Sequence, residues 1–112
     1  MKPVYLDCNS TTPLEEEVIT EMRQFMSSDF GNAGSRTHEM GTKAAKAVNN
    51  SRRLIADVLK AESSDILFTS GATESNNLSI LGLESYGRQS NKTHIITSKT
   101  EHKATLEPLE RL

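Results

Sequence analysis

The chain has 112 residues, 35% of them hydrophobic, with 13 basic and 15 acidic side chains and a net charge of −2. This length suits one domain, but the low apolar fraction predicts a lean core, or a core completed by further structure. The scattered charges exclude a nucleic-acid stripe or a polybasic membrane patch, and no apolar stretch could span a membrane. One cysteine excludes an internal disulfide, and three scattered histidines leave no zinc-type spacing. We therefore expect a soluble cytoplasmic protein.

A brief extended run at residues 4–6 leads into a block of small polar residues that favours a turn. Thr12, Pro13 and Glu15 fit the N-cap, first and third positions of a capping box, which predicts a helix start. The acidic run at residues 15–17 complements the helix dipole there, and a metal site is the weaker reading of it. The apolar face of this helix comprises Val18, Ile19, Met22, Phe25 and Met26.

A loop is predicted at residues 27–35, followed by a long helix over residues 37–60 and a further loop at 62–65. Apolar residues recur at threes and fours through the long helix. Gly41 and the polar patch at 49–51 are weak helix formers within it.

Residues 66–77 carry the strongest local signal. An apolar run at 66–68 predicts a strand, small residues at 70–72 predict a tight turn, and a helix begins near Thr73. A helix N-terminus offers unpaired N–H groups and the positive end of the dipole, so this turn suits a phosphate or carboxylate. On these residues alone, an ordinary strand-to-helix connection with a Ser/Thr cap is an equal alternative.

The third helix is predicted to continue to Gly87 with a wide buried face. A strand at 94–97 and a last helix beginning near Ala104 follow, with Pro108 at an unfavourable position inside it. Strand, helix, strand and helix in this order predict an α/β fold in which helices pack on a mainly parallel sheet.

Four blocks together resemble the start of a cysteine desulfurase, a pyridoxal-phosphate enzyme of the class V aminotransferase group with fold type I. They are YLDCNSTTP at 5–13, GNAGSRTH at 31–38, FTSGATESNN at 68–77 and IITSKTEHKA at 95–104. Their order and spacing extend over nearly the whole chain, and they are similar to the housekeeping and nitrogenase-associated branch. Ser10 departs from the alanine usual in the family.

The resemblance implies the N-terminal part of a fold-type-I large domain, with an incomplete, mainly parallel sheet. Residues 1–34 would form the N-terminal strand, a helix and a loop at the active-site mouth, and residues 35–112 would begin the cofactor-binding domain. Ala72 and Thr73 match the residues that hold the phosphate of pyridoxal 5'-phosphate. His102 matches the histidine that stacks on the pyridine ring and takes part in proton transfer, a role that suits imidazole. No metal is implied.

The activity implied is conversion of L-cysteine to L-alanine, with sulfur held as an enzyme persulfide and passed to an acceptor protein for iron–sulfur cluster assembly, tRNA thiolation or a related pathway. The enzyme would be a homodimer. The family's Schiff-base lysine, its aspartate partner of the pyridine nitrogen and its nucleophilic cysteine map beyond residue 112. We therefore expect the isolated chain to be inactive, since this chemistry needs that lysine and aspartate.

Two alternatives stay open. A selenocysteine lyase or another class V relative would share these blocks, because the residues that select the substrate mostly map further along. A non-catalytic truncated chain could serve as an anion-binding or interaction module, and would then fold as a monomer by itself.

Several residues with reactive side chains are expected to have structural or surface roles. Cys8 is expected to be a small buried side chain and not the sulfur acceptor. His38 and His94 are expected to be structural or surface residues. Lys99 and Lys103 are expected on a solvated face, because the family places its Schiff-base lysine elsewhere.

Overall fold

The computed structural model describes residues 3–112, and its regular structure is helical. The elements in chain order are α1 (Glu16–Ser27), α2 (Glu39–Leu59), a 3₁₀ helix (Ser63–Asp65), α3 (Ala72–Gly82), α4 (Glu84–Gln89) and α5 (Lys103–Glu110). Contacts divide the chain into two compact units, Met1–Ile66 and Leu67–Leu112. The predicted division at residue 34 concerns segments of a larger enzyme and stays a prediction.

In the first unit, the loop before α2 lies against the first turn of that helix. A Cβ added to Gly31 would collide with the Met40 carbonyl, and one added to Gly41 would collide with the Ser35 carbonyl. His38 caps the helix, because its Nδ1 accepts the Gly41 backbone N–H at 3.1 Å. Glycine at both positions therefore allows loop and helix backbones to approach closely.

The far end of α2 is closed by Lys60 in the left-handed conformation, with φ of 54°. The 3₁₀ helix packs against α2. Arg52 extends from α2 and donates from Nε to the Ile66 carbonyl at 3.1 Å. These contacts hold the segment after α2 along the helix that precedes it.

In the second unit, α3 packs against α5 and contacts α4. Ala104 and Pro108 are the buried side chains of α5. The proline lies inside the helix, where its ring removes one backbone donor. The site described below lies between α3 and α5.

Helix positions agree with the sequence predictions for α2 and α5 and differ for α1. That helix begins at Glu16, and its N-cap Glu15 is extended with ψ of 145° and makes no side-chain cap bond. The capping box predicted from Thr12 is therefore wrong. A turn closed by the Ser10 N–H on the Asp7 carbonyl, at 3.0 Å, keeps the preceding polar block outside the helix.

The third predicted helix is divided in two. The backbone at Leu83 separates α3 from α4, and Gly87 lies inside α4 and not at its end. The predicted wide buried face is also wrong, because no residue of α3 is buried and Leu78 is 50% exposed. Packing of α5 on α3 leaves Ile80 and Leu81 half-buried.

The strands predicted at 4–6, 66–68 and 94–97 are not formed within residues 3–112. A strand is defined by hydrogen bonds to a neighbouring strand, and these segments have no such neighbour in the structure described. The sheet of the predicted α/β fold is therefore unconfirmed within residues 3–112.

The predicted lean core is confirmed. Among the described residues, the buried hydrophobic side chains are Ala44, Ala56 and Ala104. No helix within residues 3–112 is long and apolar enough to cross a membrane.

Candidate functional site

The turn before α3 is built from small residues that leave the helix N-terminus accessible. Gly71 is the N-cap and provides no side-chain cap bond. A Cβ added to Gly71 would meet no atom within 4 Å. The first N–H groups of a helix have no intrahelical partner, so those at the start of α3 are available to a small anion.

Three hydrogen bonds hold this turn, one of which runs from the Thr69 hydroxyl to the Gly71 carbonyl at 3.2 Å. The Glu74 carboxylate accepts the backbone N–H of Ser70 at 2.6 Å, and the hydroxyls of Thr69 and Ser75 share a bond of 2.7 Å. The Ser70 N–H holds the pKa of the Glu74 carboxyl below its usual range, and the Ser70 side chain adds to this effect. Glu74 thus occupies one backbone donor, and an anion would use the donors that follow it.

His102 is the N-cap of α5. Its Nδ1 accepts the backbone N–H of Ala104 at 3.1 Å. A ring nitrogen that accepts a hydrogen bond carries no proton, so the neutral imidazole has its proton on Nε2. The cap therefore fixes both the orientation and the tautomer of this ring.

One cleft of about 340 Å³ brings two of the three predicted site residues together, while Ala72 does not line it. Thr73 and His102 both line it, and Ala72 precedes Thr73 as the first residue of α3. No hydrogen-bond partner for the Thr73 hydroxyl is found within residues 3–112. The other lining residues are Asn77, Lys103, Ala104, Glu107, Pro108 and Arg111.

The cleft contains charged groups that the sequence analysis did not assign to the site. Lys103 and Arg111 supply positive charge, which complements an anion, while Glu107 supplies one negative charge. Lys103 is exposed, as expected. Helical spacing alone could have placed Lys103 and Glu107 on one face four positions apart, but nothing in the sequence indicated which face adjoins Thr73.

A side-chain bond links the two helices of the site. Asn76 donates from Nδ2 to the hydroxyl of Thr105 at 3.3 Å, and both residues are half-buried. They lie 29 positions apart, so no local pattern predicts this pair.

The remaining candidates have structural or surface positions. His38 caps α2, and its Nε2 lies 3.0 Å from the Ser35 hydroxyl, which confirms a structural role. His94 and Lys99 are exposed. Cys8 is also exposed, so the expectation of a buried thiol is wrong. Its segment is held as a turn and not packed in a core.

No group of three or more potential metal-ligating side chains occurs in the part of the chain that the structure describes. The acidic run at 15–17 lies at the start of α1, where the helix dipole favours negative charge.

The chain belongs to the class-V aminotransferase family, whose sequence model (Aminotransferase class-V) matches residues 4–112. It is similar to cysteine desulfurases IscS. Identity is 49% to the Haemophilus ducreyi protein, covering 98% of this chain and 27% of that protein. It is 52% to the Buchnera aphidicola protein, covering 94% and 26%. The chain thus spans about a quarter of the length of these relatives.

Solved structures show the same relationship. DndA from Streptomyces lividans superposes with a TM-score of 0.75 at 48% identity, over 96% of this chain and 30% of that one. A NifS-like protein superposes with a TM-score of 0.83 at 37% identity, over 96% and 29%. The backbone described here therefore follows the fold of this class V group.

Proposed function

We propose that this chain is the N-terminal segment of a pyridoxal-phosphate-dependent cysteine desulfurase. The complete enzyme converts L-cysteine to L-alanine: the carbon–sulfur bond breaks, the sulfur joins an enzyme thiol as a persulfide, and the carbon receives a proton. The similarity to IscS proteins over 94–98% of the chain supports this proposal. The observation that carries it is that Thr73 and His102 line one cleft.

The residues of the cleft fit the cofactor. The space beside Gly71 and the uncapped start of α3 suit a phosphate, which would be held by the backbone N–H of Ala72 and the hydroxyl of Thr73. Lys103 and Arg111 add favourable charge along the cleft. When bound, pyridoxal 5'-phosphate supplies the electron sink for the reaction.

His102 has two roles in this proposal. Its ring, oriented by the Ala104 N–H, provides a flat face for the pyridine ring. Its proton lies on Nε2, so in this conformation the neutral ring donates a hydrogen bond from that atom. To accept a proton at Nε2, the neutral ring would have to move its proton to Nδ1 and release the Ala104 N–H.

The proposal assigns the other catalytic groups to the remainder of the enzyme. These are the Schiff-base lysine, the aspartate partner of the pyridine nitrogen and the cysteine that carries the persulfide. The enzyme acts as a cytoplasmic homodimer, passes sulfur to an acceptor protein, and binds neither nucleic acid nor membrane.

The test uses the complete enzyme that carries this segment, alongside the 112-residue chain. With pyridoxal phosphate, L-cysteine and a thiol reductant, we expect the complete enzyme to release alanine and sulfide in equal amounts. The separate chain, under the same conditions, should release neither. Turnover of selenocysteine but not cysteine by the complete enzyme would contradict the proposal in favour of a selenocysteine lyase. Alanine release by the separate chain would contradict the assignment of the missing groups.

A further inference from the structure

The contact between Asn76 and Thr105 has a particular place in the site. Among the side-chain hydrogen bonds of residues 3–112, it is the one that joins α3 to α5. The polar side chains nearby bond within their own helix: Asn77 donates to the Thr73 carbonyl at 2.9 Å, and Ser79 donates to the Ser75 carbonyl at 2.9 Å.

Each partner lies one helical turn beyond a predicted site residue. Asn76 follows Thr73 by three positions on α3, and Thr105 follows His102 by three positions at the start of α5. Residues three apart on a helix are neighbours on one face. The backbone also couples Thr105 to the cap, because its N–H donates to the His102 carbonyl at 2.8 Å.

The surrounding packing supplies little directional restraint. The buried side chains of α5 are Ala104 and Pro108, which are small and apolar. Apolar contact is non-directional, so it tolerates sliding of one helix along the other. A hydrogen bond weakens steeply when its length or angle changes, and therefore restrains that sliding.

We propose that Asn76 and Thr105 are a positioning pair that sets the separation between the phosphate-binding turn at Thr73 and the ring of His102. This inference rests on the proposed function. Neither residue lines the cleft. The pair acts by holding the two ends of the cleft at the spacing of one ligand that carries both a phosphate and an aromatic ring.

The test compares Thr105→Val, which keeps the side-chain shape and removes the hydroxyl, with Thr105→Ser, which keeps the hydroxyl. The matched control is Ser79→Ala, which removes an exposed hydroxyl that bonds within α3. In the apo form of the complete enzyme, two quantities are measured. One is the Kd for pyridoxal phosphate. The other is the inhibition constant of inorganic phosphate, measured as a competitor of pyridoxal phosphate.

Loss of one neutral hydrogen bond should raise the Kd for pyridoxal phosphate about fivefold in T105V. The inhibition constant of inorganic phosphate should not change, because phosphate alone binds only at the turn before Thr73. T105S and S79A should match the parent in both constants. If T105V does not fold, Asn76→Leu removes the bond from the other side and should give the same pattern.

Other results would overturn the inference. Unchanged pyridoxal-phosphate affinity in T105V, or equal weakening for both ligands, would show that the pair does not set the spacing while leaving the proposed function intact. Failure of the parent apoenzyme to bind pyridoxal phosphate would overturn the proposed function and this inference together.

Discussion

Nδ1 of His102 accepts the backbone N–H of Ala104 at 3.1 Å, so the proposed catalytic histidine is also the cap of α5. His38 makes the equivalent bond to the Gly41 N–H, also at 3.1 Å, at the start of α2. Capping fixes a side chain through the geometry of the first turn. The ring in the cleft is therefore oriented by local backbone structure within three residues.

Substitutions at His102 should separate capping from catalysis in the complete enzyme. His102→Asn keeps a good N-cap and should retain stability, whereas His102→Ala should cost about 1 kcal/mol of unfolding free energy. Both should lower the alanine-forming rate by about 10²-fold or more, because neither can transfer a proton. Denaturant unfolding and alanine release measure the two effects. Substantial activity in the asparagine variant would contradict the proton-transfer role.

The hydroxyl of Thr73 is expected to hold the cofactor phosphate. Thr73→Val keeps the shape and should weaken pyridoxal-phosphate binding about tenfold or more, since a hydrogen bond to a charged group contributes about 1.5–3 kcal/mol. Thr73→Ser should bind within about twofold of the parent. Fluorescence titration of the apoenzyme gives both constants. Equal affinities in the valine and serine variants would exclude a role for the hydroxyl.

Close backbone approach should make Gly41 intolerant of a side chain. Gly41→Ala places a Cβ 2.8 Å from the Ser35 Cβ and against the Ser35 carbonyl. It should lower the unfolding free energy by about 1–3 kcal/mol despite better helix propensity. Gly82→Ala is the matched control, because its Cβ meets nothing within 4 Å, and it should be neutral or stabilising by about 0.5–1 kcal/mol. Denaturant midpoints of the complete enzyme distinguish the two variants, and equal midpoints would contradict the packing described.

Asp29 should make the stability of the first unit depend on acid pH. Its carboxylate accepts from Lys43 Nζ at 2.6 Å and from Gln24 Nε2 at 2.8 Å. The hydrogen bond from Lys43 has the larger effect and that from Gln24 the smaller, and together they hold the pKa of this carboxyl below its usual range. A lowered folded-state pKa means that the stabilisation is complete above the unfolded-state pKa. It is lost as pH falls below about 4 and through the folded-state value.

The unfolding free energy of the complete enzyme and its variants, measured between pH 7 and pH 2, tests this dependence. Asp29→Asn should lose stability at neutral pH and show a shallower decline in acid. Asp57→Asn is the control, because the Arg53–Asp57 pair is exposed and 3.9 Å long, and such pairs contribute little. A parallel decline in the parent and D29N would show that Asp29 is not responsible. Glu74 contributes with the same sign and is present in all three proteins.

The separate 112-residue chain should behave as an incompletely packed protein. Its exposed apolar side chains include Leu6 at 87%, Val58 at 81% and Ile96 at 87%. Such surface favours association and binding of apolar dyes. We expect a broad thermal transition and strong dye binding, measured by circular dichroism and fluorescence. Sharp amide resonances and a cooperative melt would instead favour the alternative of an independently folded module.

Local sequence information was sufficient for most helices, whereas the roles of Ala72, Thr73 and His102 come from the family resemblance and stay a prediction. Periodicity predicted α2 within two residues at each end, and the small residues at 70–72 predicted an accessible helix start. The prediction for the start of α1 was wrong, because two local signals competed there. Thr12 and Glu15 have the residue types of a capping box, but Glu15 is extended and the helix begins at Glu16.

Tertiary structure decided which separated groups meet. Only packing of α3 on α5 brings Thr73 and His102 to one cleft, and only that packing joins Asn76 to Thr105 across 29 positions. The predicted strands are unconfirmed for the same reason, because a strand needs hydrogen-bond partners from elsewhere. Helices and caps are satisfied within a few residues and so can be read locally. Sheets, clefts and positioning pairs depend on contacts between distant segments, which no local pattern specifies.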